Sequence, residues 1–254
     1  MYNFRDVTLL ITHYNRSSSL ERLLKTFKEL NCVFDDIVVS DDGSKPEHIK
    51  ALQALTNTYK FRLITTPKNK GLGNNINKGQ EAVTTPYTLY VQEDFVPTAL
   101  FPDKFVKAVD IMNRESKWDI IRFYAYGPYS YMKPYDEDFS EMYIKPWFTK
   151  TAKIYVYSDH PHLRRSNFLT KFGKYAEGIK GDRTEYRMCI TFIQKHGQGL
   201  FYNKYKELFL QKNSEDEPTT MTRSSLSRTK NPFISVIRQV YRQARYNFDI
   251  HFMR

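Results

Sequence analysis

Carboxylates stand at three places in this 254-residue chain where residue type and spacing suit chemistry: Asp41-Asp42, Glu93-Asp94, and Asp182 with Glu185. A carboxylate at the end of a strand can accept a ligand N–H, hold a divalent cation together with anionic oxygens, or take a proton as a general base. Each group also has a purely structural reading. Asp42-Gly43-Ser44 is turn and helix-cap composition, and Asp182 and Glu185, three apart at a helix start, could form a reciprocal cap. Glu185 shares one helical face with Met188, Cys189, Phe192 and Ile193. Its carboxylate would then lie at the inward end of an apolar stripe, where desolvation raises proton affinity. Lys70-Gly71-Leu72-Gly73 ahead of a helical pattern suits an anion, because glycines let the backbone approach it and a helix N-terminus favours negative charge. His160-Pro161-His162 offers two imidazoles for a metal, although that spacing is commoner in plain loops, and Arg164-Arg165 suits either a phosphate or a solvated surface.

These groups need a scaffold, and the hydrophobic pattern supplies one. Val7 to Thr12 reads as a buried strand. Ser18 with Glu21 predicts a capping box for a helix through Leu20, Leu23, Leu24, Phe27 and Leu30. Ile37 to Val39 is a second strand, and Ser44 with Pro46 and Glu47 opens a second helix through Leu55. Strands over Phe61–Thr65, Tyr87–Val91 and Ile120–Tyr124 follow, with helices over residues 73–83 and Phe101–Met112. Such alternation predicts a parallel sheet covered on both faces, with ligands at the carboxyl ends of its strands. His13 to Arg16, Asp41 to Ser44 and Gln92 to Asp94 all fall on that rim. Residues 129 to 157 read as aromatic-rich loop and strand, and residues 164 to 197 as a helix-bearing segment. Residues 211 to 231 read as a polar linker, and the last stretch as an amphipathic helix with arginines between Phe233, Ile237, Val240, Tyr241, Ala244 and Phe248.

The formal charge of +11 implies an anionic partner: nucleic acid, anionic lipid or a phosphate-bearing substrate. No zinc, RNP or KH signature favours nucleic acid. Cys32 and Cys189 stand far apart, without metal-ligand spacing, which fits a reducing compartment. No uninterrupted apolar run reaches the roughly 18 residues of a membrane span, and charged Arg5 and Asp6 stand where a signal peptide would have its apolar core. The expectation is a cytoplasmic protein.

Thr8-Leu-Leu-Ile-Thr-His-Tyr-Asn-Arg16, Val38-Val-Ser-Asp-Asp-Gly-Ser44, Asn69-Lys-Gly-Leu-Gly-Asn-Asn-Ile-Asn-Lys-Gly79 and Tyr90-Val-Gln-Glu-Asp94 occur in one order. In this register the chain resembles the family 2 glycosyltransferases of GT-A fold, closely over residues 5 to about 100 and more distantly over 160 to 200. The resemblance implies an α/β, Rossmann-like, mostly parallel central sheet flanked by helices. It further implies a nucleotide-sugar-binding half (1–125), an acceptor-binding half of the same domain (126–210), and a polar linker with a basic amphipathic tail helix (211–254). It places Asp41 and Asp42 near base and ribose, with Thr12, Tyr14 and Asn15 on the opposite wall, Asn69 and Gly71 beside the nucleotide, and Glu93 toward the donor. Asp94 is the expected ligand of Mn²⁺ or Mg²⁺, although Gln92 stands where the family has its first aspartate. The base of an inverting transfer is expected at Glu185, with Asp182 as second choice. Tyr126, Trp147 and Arg164 are the expected acceptor contacts, since aromatic faces pack on the C–H surfaces of sugars. The expected reaction moves a sugar from a nucleoside diphosphate, UDP by the family's habit, to a glycan or lipid-linked acceptor. The tail would lie on the anionic inner face of a membrane. The rival readings are a catalytically silent assembly subunit of the same fold, a sugar-nucleotide pyrophosphorylase, and a basic nucleic-acid-binding module. The pyrophosphorylase would need a Gly-rich loop where Thr12-His-Tyr-Asn-Arg16 stands.

Overall fold

A computed structural model describes residues 1–145, 150–212 and 232–253. Its first half alternates β1 (Tyr2–His13), α1 (Ser17–Glu29), β2 (Cys32–Asp41), α2 (Pro46–Tyr59), β3 (Arg62–Ile64), α3 (Leu72–Glu81) and β4 (Tyr87–Gln92). Then come β5 (Phe95–Pro97), α4 (Phe101–Arg114), β6 (Ile120–Arg122), β7 (Met132–Pro134), β8 (Phe139–Met142) and a 3-10 turn (Thr151–Val156). The second half closes with β9 (His162–Arg165), α5 (Phe168–Phe172), α6 (Gly181–Gln194), β10 (Gly199–Tyr202), β11 (Phe209–Gln211) and α7 (Pro232–Phe252).

The large sheet has nine strands among the described residues, in the order β3-β2-β1-β4-β9-β6-β10-β8-β7. The first four run parallel, as the alternating pattern predicts. Neighbouring residues of the central strands enter opposite cores, which explains their unbroken apolar runs. Leu9, Ile11, Leu89 and Val91 pack with Leu20, Leu23, Phe27 and Phe105 on one face. Leu10, Val38 and Tyr90 pack with Ile76, Met188 and Phe192 on the other.

Four local expectations are corrected. The helix start at Ser18 is not a capping box: Arg16 is the N-cap of α1, and no side chain caps it. Asn15 at φ 53° turns the chain, and His13 Nε2 accepts the Arg16 N–H at 3.1 Å, so the helix begins two residues early. Ser44 does not cap α2, whose N-cap is Lys45. The start of the 164–197 segment is not helical but belongs to β9, which runs antiparallel between β4 and β6. Its two arginines hide a strand that is paired along both edges. Gln211 is not linker but the last residue of β11, paired with Phe95 of β5; residues 213–231 of the expected linker lie outside the described residues.

Candidate active site

Three loops meet at the carboxyl end of the parallel half-sheet, because β1 lies between β2 and β4. They are stitched together by polar side chains. The Asn15 N–H donates to Ser44 Oγ at 2.8 Å, and Asn15 Oδ1 accepts the Lys45 N–H at 2.8 Å. Thr12 Oγ1 lies 3.1 Å from the Tyr90 hydroxyl. Tyr14, half-buried, lies between Thr12 and Asn15 in the chain.

Asp41 and Asp42 are both buried and serve as knots for this rim. Asp41 accepts from His13 Nδ1 at 2.8 Å, from the Ser44 N–H at 3.0 Å, from the Ser44 hydroxyl, and from Thr65 Oγ1 at 2.8 Å. Burial alone would raise its pKa, but these hydrogen bonds together hold the carboxyl well below the usual range. Asp42 accepts the Lys70 and Gly71 N–H groups at 2.8 and 2.9 Å and so fastens the glycine loop ahead of α3. In its case burial wins, and the pKa is raised. Asn69 Oδ1 shares the Gly71 N–H at 3.1 Å. Gly43 is required between the two knots: its φ is +66°, and a Cβ there would run into the Lys68 backbone.

The acidic end of β4 faces the loop after β1. Arg16 Nη1 lies 3.7 Å from Glu93 and 3.4 Å from Asp94, with all three side chains nearly buried. From Asp94 a polar chain runs across the rim. Gln211 Nε2 donates to Asp94 Oδ2 at 2.9 Å, and Gln211 Oε1 accepts the Tyr126 hydroxyl at 2.9 Å. Half-exposed Tyr126 meets the His160 ring edge-on at 4.7 Å between centroids. His160 Nδ1 lies 3.0 Å from Ser158 Oγ, which donates to Glu185 at 2.8 Å. Because His162 of β9 pairs with Tyr90 of β4, the Ser158–His160 turn comes out at the same end of the sheet as Glu93-Asp94.

Glu185 is therefore joined to the rim, whereas Asp182 lies exposed in the first turn of α6 and accepts the Arg183 N–H at 2.9 Å. The two acids form no reciprocal cap: Lys180 is the N-cap of α6, and no side chain caps it. Arg164 must be corrected as an acceptor contact. It is fully buried, donates to Gln80 at 2.9 Å and to the Tyr175 hydroxyl at 2.7 Å, and lies over the rings of Tyr90 and Phe168, so no acceptor can reach it. Trp147 lies outside the described residues. Burial, helped by the charge of Arg122, lowers the His160 pKa to about 3. Among the described residues no three His, Cys, Asp or Glu side chains cluster as a metal cage.

The sequence did not single out Gln211, Ser158 or Asp159. Gln211 arrives on a strand more than a hundred residues after Asp94, and no local pattern could announce it. Two surface cavities, of about 410 and 380 Å³, lie along α4 and at the foot of β4, away from this rim.

Comparison with known proteins gives this geometry a context. The glycosyl transferase family 2 model matches residues 8–178. Residues 1–349 of Staphylococcus aureus TarS, solved with UDP-GlcNAc, superpose with a TM-score of 0.64 at 14% identity, over 97% of this chain and 72% of that one. A longer TarS structure matches at a TM-score of 0.58 and 13% identity, over 83% of this chain, which spans only 37% of that protein. The mannosyltransferase PcManGT from Pyrobaculum calidifontis, solved with GDP-Man and Mn²⁺, matches at a TM-score of 0.52 and 12% identity, over 76% of this chain and 53% of that one. No curated protein sequence matches the chain. The family match, which spans both halves of the sheet from β1 to the approach of α6, together with the shared GT-A architecture, establishes that the chain belongs to glycosyl transferase family 2.

Proposed function

We propose that the protein transfers a sugar from a nucleoside diphosphate, UDP by preference, to a glycan or lipid-linked acceptor with inversion at the anomeric carbon. The observation that carries this reading is the chain of contacts Asp94–Gln211–Tyr126–His160–Ser158–Glu185, hydrogen-bonded except for the edge-on ring contact of Tyr126 with His160, which joins the acidic strand end to the carboxylate on α6. The TarS complex with UDP-GlcNAc and the PcManGT complex with GDP-Man support a nucleotide-sugar donor.

In this mechanism Asp41 and Asp42 act chiefly by holding two loops as a nucleotide wall, with Thr12, Tyr14 and Asn15 opposite and Asn69 and Gly71 along the diphosphate. Glu93 and Arg16 face the donor. Glu185 takes the proton of the acceptor hydroxyl, and Tyr126 offers its exposed ring to the acceptor. The residues present fit a divalent cation: Asp94 Oδ1 is buried without a hydrogen-bond partner, and Mn²⁺ or Mg²⁺ in nucleotide sites needs only one or two carboxylates beside phosphate oxygens and water. Asp94 would hold it, with Glu93 in support. Such a cation supplies positive charge against the departing diphosphate. Gln92, a neutral amide at the first acidic position of the motif, favours one second reading: a silent subunit that binds but does not turn over.

Calorimetric titration with UDP and GDP should show binding that tightens when Mn²⁺ is present. Absence of binding by every nucleoside diphosphate would end the proposal, and binding without turnover would select the silent subunit.

The tail extends the proposal to a membrane surface. One face of α7 is docked on the domain. Asp249 accepts the Tyr186 hydroxyl at 2.5 Å, Asn247 accepts Lys153 Nζ at 2.6 Å, and Tyr246, Ile250 and Met253 join the second core. The other face leaves Val236, Ile237, Val240, Tyr241, Phe248 and Phe252 more than half exposed. The only acid of α7, Asp249, is engaged on the docked side, where Arg245 also meets it at 3.4 Å, and Arg238 and Arg242 are half-buried. No described helix is long and apolar enough to cross a membrane. A half-apolar, basic helix suits the plane of an anionic bilayer on its cytoplasmic side. Replacing Ile237, Tyr241 and Phe248 together by Ser should reduce partitioning onto anionic vesicles by at least about tenfold, given ~1.5–3 kcal/mol per buried large apolar side chain. Unchanged co-sedimentation would remove the membrane from the proposal.

A further inference from the structure

Behind Glu185 lies a second carboxyl group to which the transfer reaction assigns no task. Asp159 is 3% exposed, in the turn that leads into β9. Its backbone N–H donates to Glu185 Oε1 at 3.1 Å, the oxygen that also accepts the Ser158 hydroxyl. Asp159 Oδ1 accepts the Tyr157 hydroxyl at 2.7 Å; Tyr157 in turn shares a short hydrogen bond with Tyr175, which accepts from Arg164. Asp159 Oδ2 is buried and has no hydrogen-bond partner. A buried carboxylate with one oxygen unsolvated, beside another carboxylate, is a costly ion, whereas the neutral acid largely escapes both penalties.

The groups that face it do little to offset that cost. Glu185 comes from α6, Tyr157 and Tyr175 present hydroxyls, and Tyr90 comes from β4. Cys189 of α6 is a buried thiol whose pKa is raised first by burial and then by Glu185 and Asp159. His160 and His162 alongside are held neutral by burial and by nearby arginines. Arg164 is the cation that acts on Asp159; Gln80 and Tyr175 engage its Nε and Nη1, while Nη2 is buried without a hydrogen-bond partner. Arg122 of β6, also buried, acts on Glu185 and donates to the Tyr155 carbonyl.

We propose that Asp159 is the protonated partner of Glu185: the two carboxyls carry one negative charge between them, and Glu185 holds it. This rests on Glu185 being the base. Ser158 and the Asp159 N–H supply two donors that stabilise the ionised Glu185, while the neutral Asp159 side chain spares the site a second negative charge beside a departing diphosphate. In the transfer step the acceptor hydroxyl gives its proton to Glu185. Its oxygen forms the new bond to the anomeric carbon, and the old carbon–oxygen bond breaks with its electron pair leaving on the nucleoside diphosphate. Asp159 is thus a positioning residue that sets the charge of the base.

Burial first, and the charge of Glu185 second, push the Asp159 pKa up to about 8. Since the folded value lies above the unfolded one, this residue's contribution to stability is lost as pH rises from the ordinary carboxylate range toward that value. Asp159→Asn keeps an acceptor for Tyr157 and never ionises, so it should gain stability on the wild type across that window.

The direct test is carbon NMR of the labelled Asp159 carboxyl. Titration near pH 8 is expected in the wild type, with a lower midpoint in Glu185→Gln, where the like charge is gone. Kinetically, the donor KM of the wild type should rise above about the same pH while that of Asp159→Asn stays flat. An Asp159 carbon that titrates in the ordinary carboxylate range, or a midpoint unmoved by Glu185→Gln, would overturn the pairing. If Glu185→Gln kept full transfer activity yet still lowered the midpoint, the pair would stand and the base assignment would fall.

Discussion

Exchanging Glu185 for Gln should lower kcat by about 10²- to 10⁴-fold, the usual worth of a positioned general base, while donor binding changes little. The substitution is shape-conserving where it matters. Glu185 Oε1 accepts from the Ser158 hydroxyl and the Asp159 N–H, and the amide oxygen of Gln can accept the same two bonds. What it cannot do is take a proton. Because Glu185 is only half-buried on α6 and its neighbours Met188, Cys189 and Phe192 carry the packing, the fold should tolerate the change, so a loss of turnover would report chemistry. Asp182→Asn is the matched control. Exposed in the first turn and joined only to the Arg183 N–H among the hydrogen bonds described, Asp182 should be replaceable with little effect on turnover. A variant pair with the opposite ranking would move the base from Glu185 to Asp182 and break the link between the polar chain across the rim and the reaction.

The parallel half of this architecture was legible because each of its signals is local. Apolar runs such as Val7 to Ile11 flanked by polar loops specify buried strands, and Pro46 and Leu52 mark α2 without help from the rest of the chain. The rim followed from the topology, since strand ends of one parallel sheet point the same way. The errors arose where tertiary contacts outbid local chemistry. Ser18 and Ser44 have the composition of caps, but an N-cap bond is worth only ~1 kcal/mol, and Ser44 instead bonds to Asp41 and Asn15, which fixes the two loops. Arg164 looked exposed because arginine usually is, yet Gln80, Tyr175 and the rings of Tyr90 and Phe168 make it a buried cation in β9. Gln211 and Asp159 could not be found from sequence at all. Each gains its meaning from a partner far along the chain, Asp94 for one and Glu185 for the other.

Replacing Asp94 by Asn should remove the Mn²⁺-dependent gain in nucleoside diphosphate affinity and lower metal-stimulated transfer by at least about a hundredfold, since Lewis-acid stabilisation is worth several kcal/mol and each ~1.4 kcal/mol is tenfold. The Asn side chain can still accept the Gln211 amide at Oδ1, so the chain to Tyr126 survives. The oxygen without a partner, Asp94 Oδ1, becomes an amide nitrogen that cannot bind a cation. Arg16 makes the outcome informative. Its guanidinium lies within 4 Å of both acids, so it can either yield the position to a metal or supply the positive charge itself. In the first case wild-type binding of UDP strengthens with Mn²⁺ and Asp94→Asn is indifferent to it. In the second, neither protein responds to Mn²⁺, and Arg16→Gln is the variant that loses the diphosphate. The first outcome is expected. An Mn²⁺ response that persists undiminished in Asp94→Asn would take this residue out of the metal site, and with it the role assigned to the acidic end of β4.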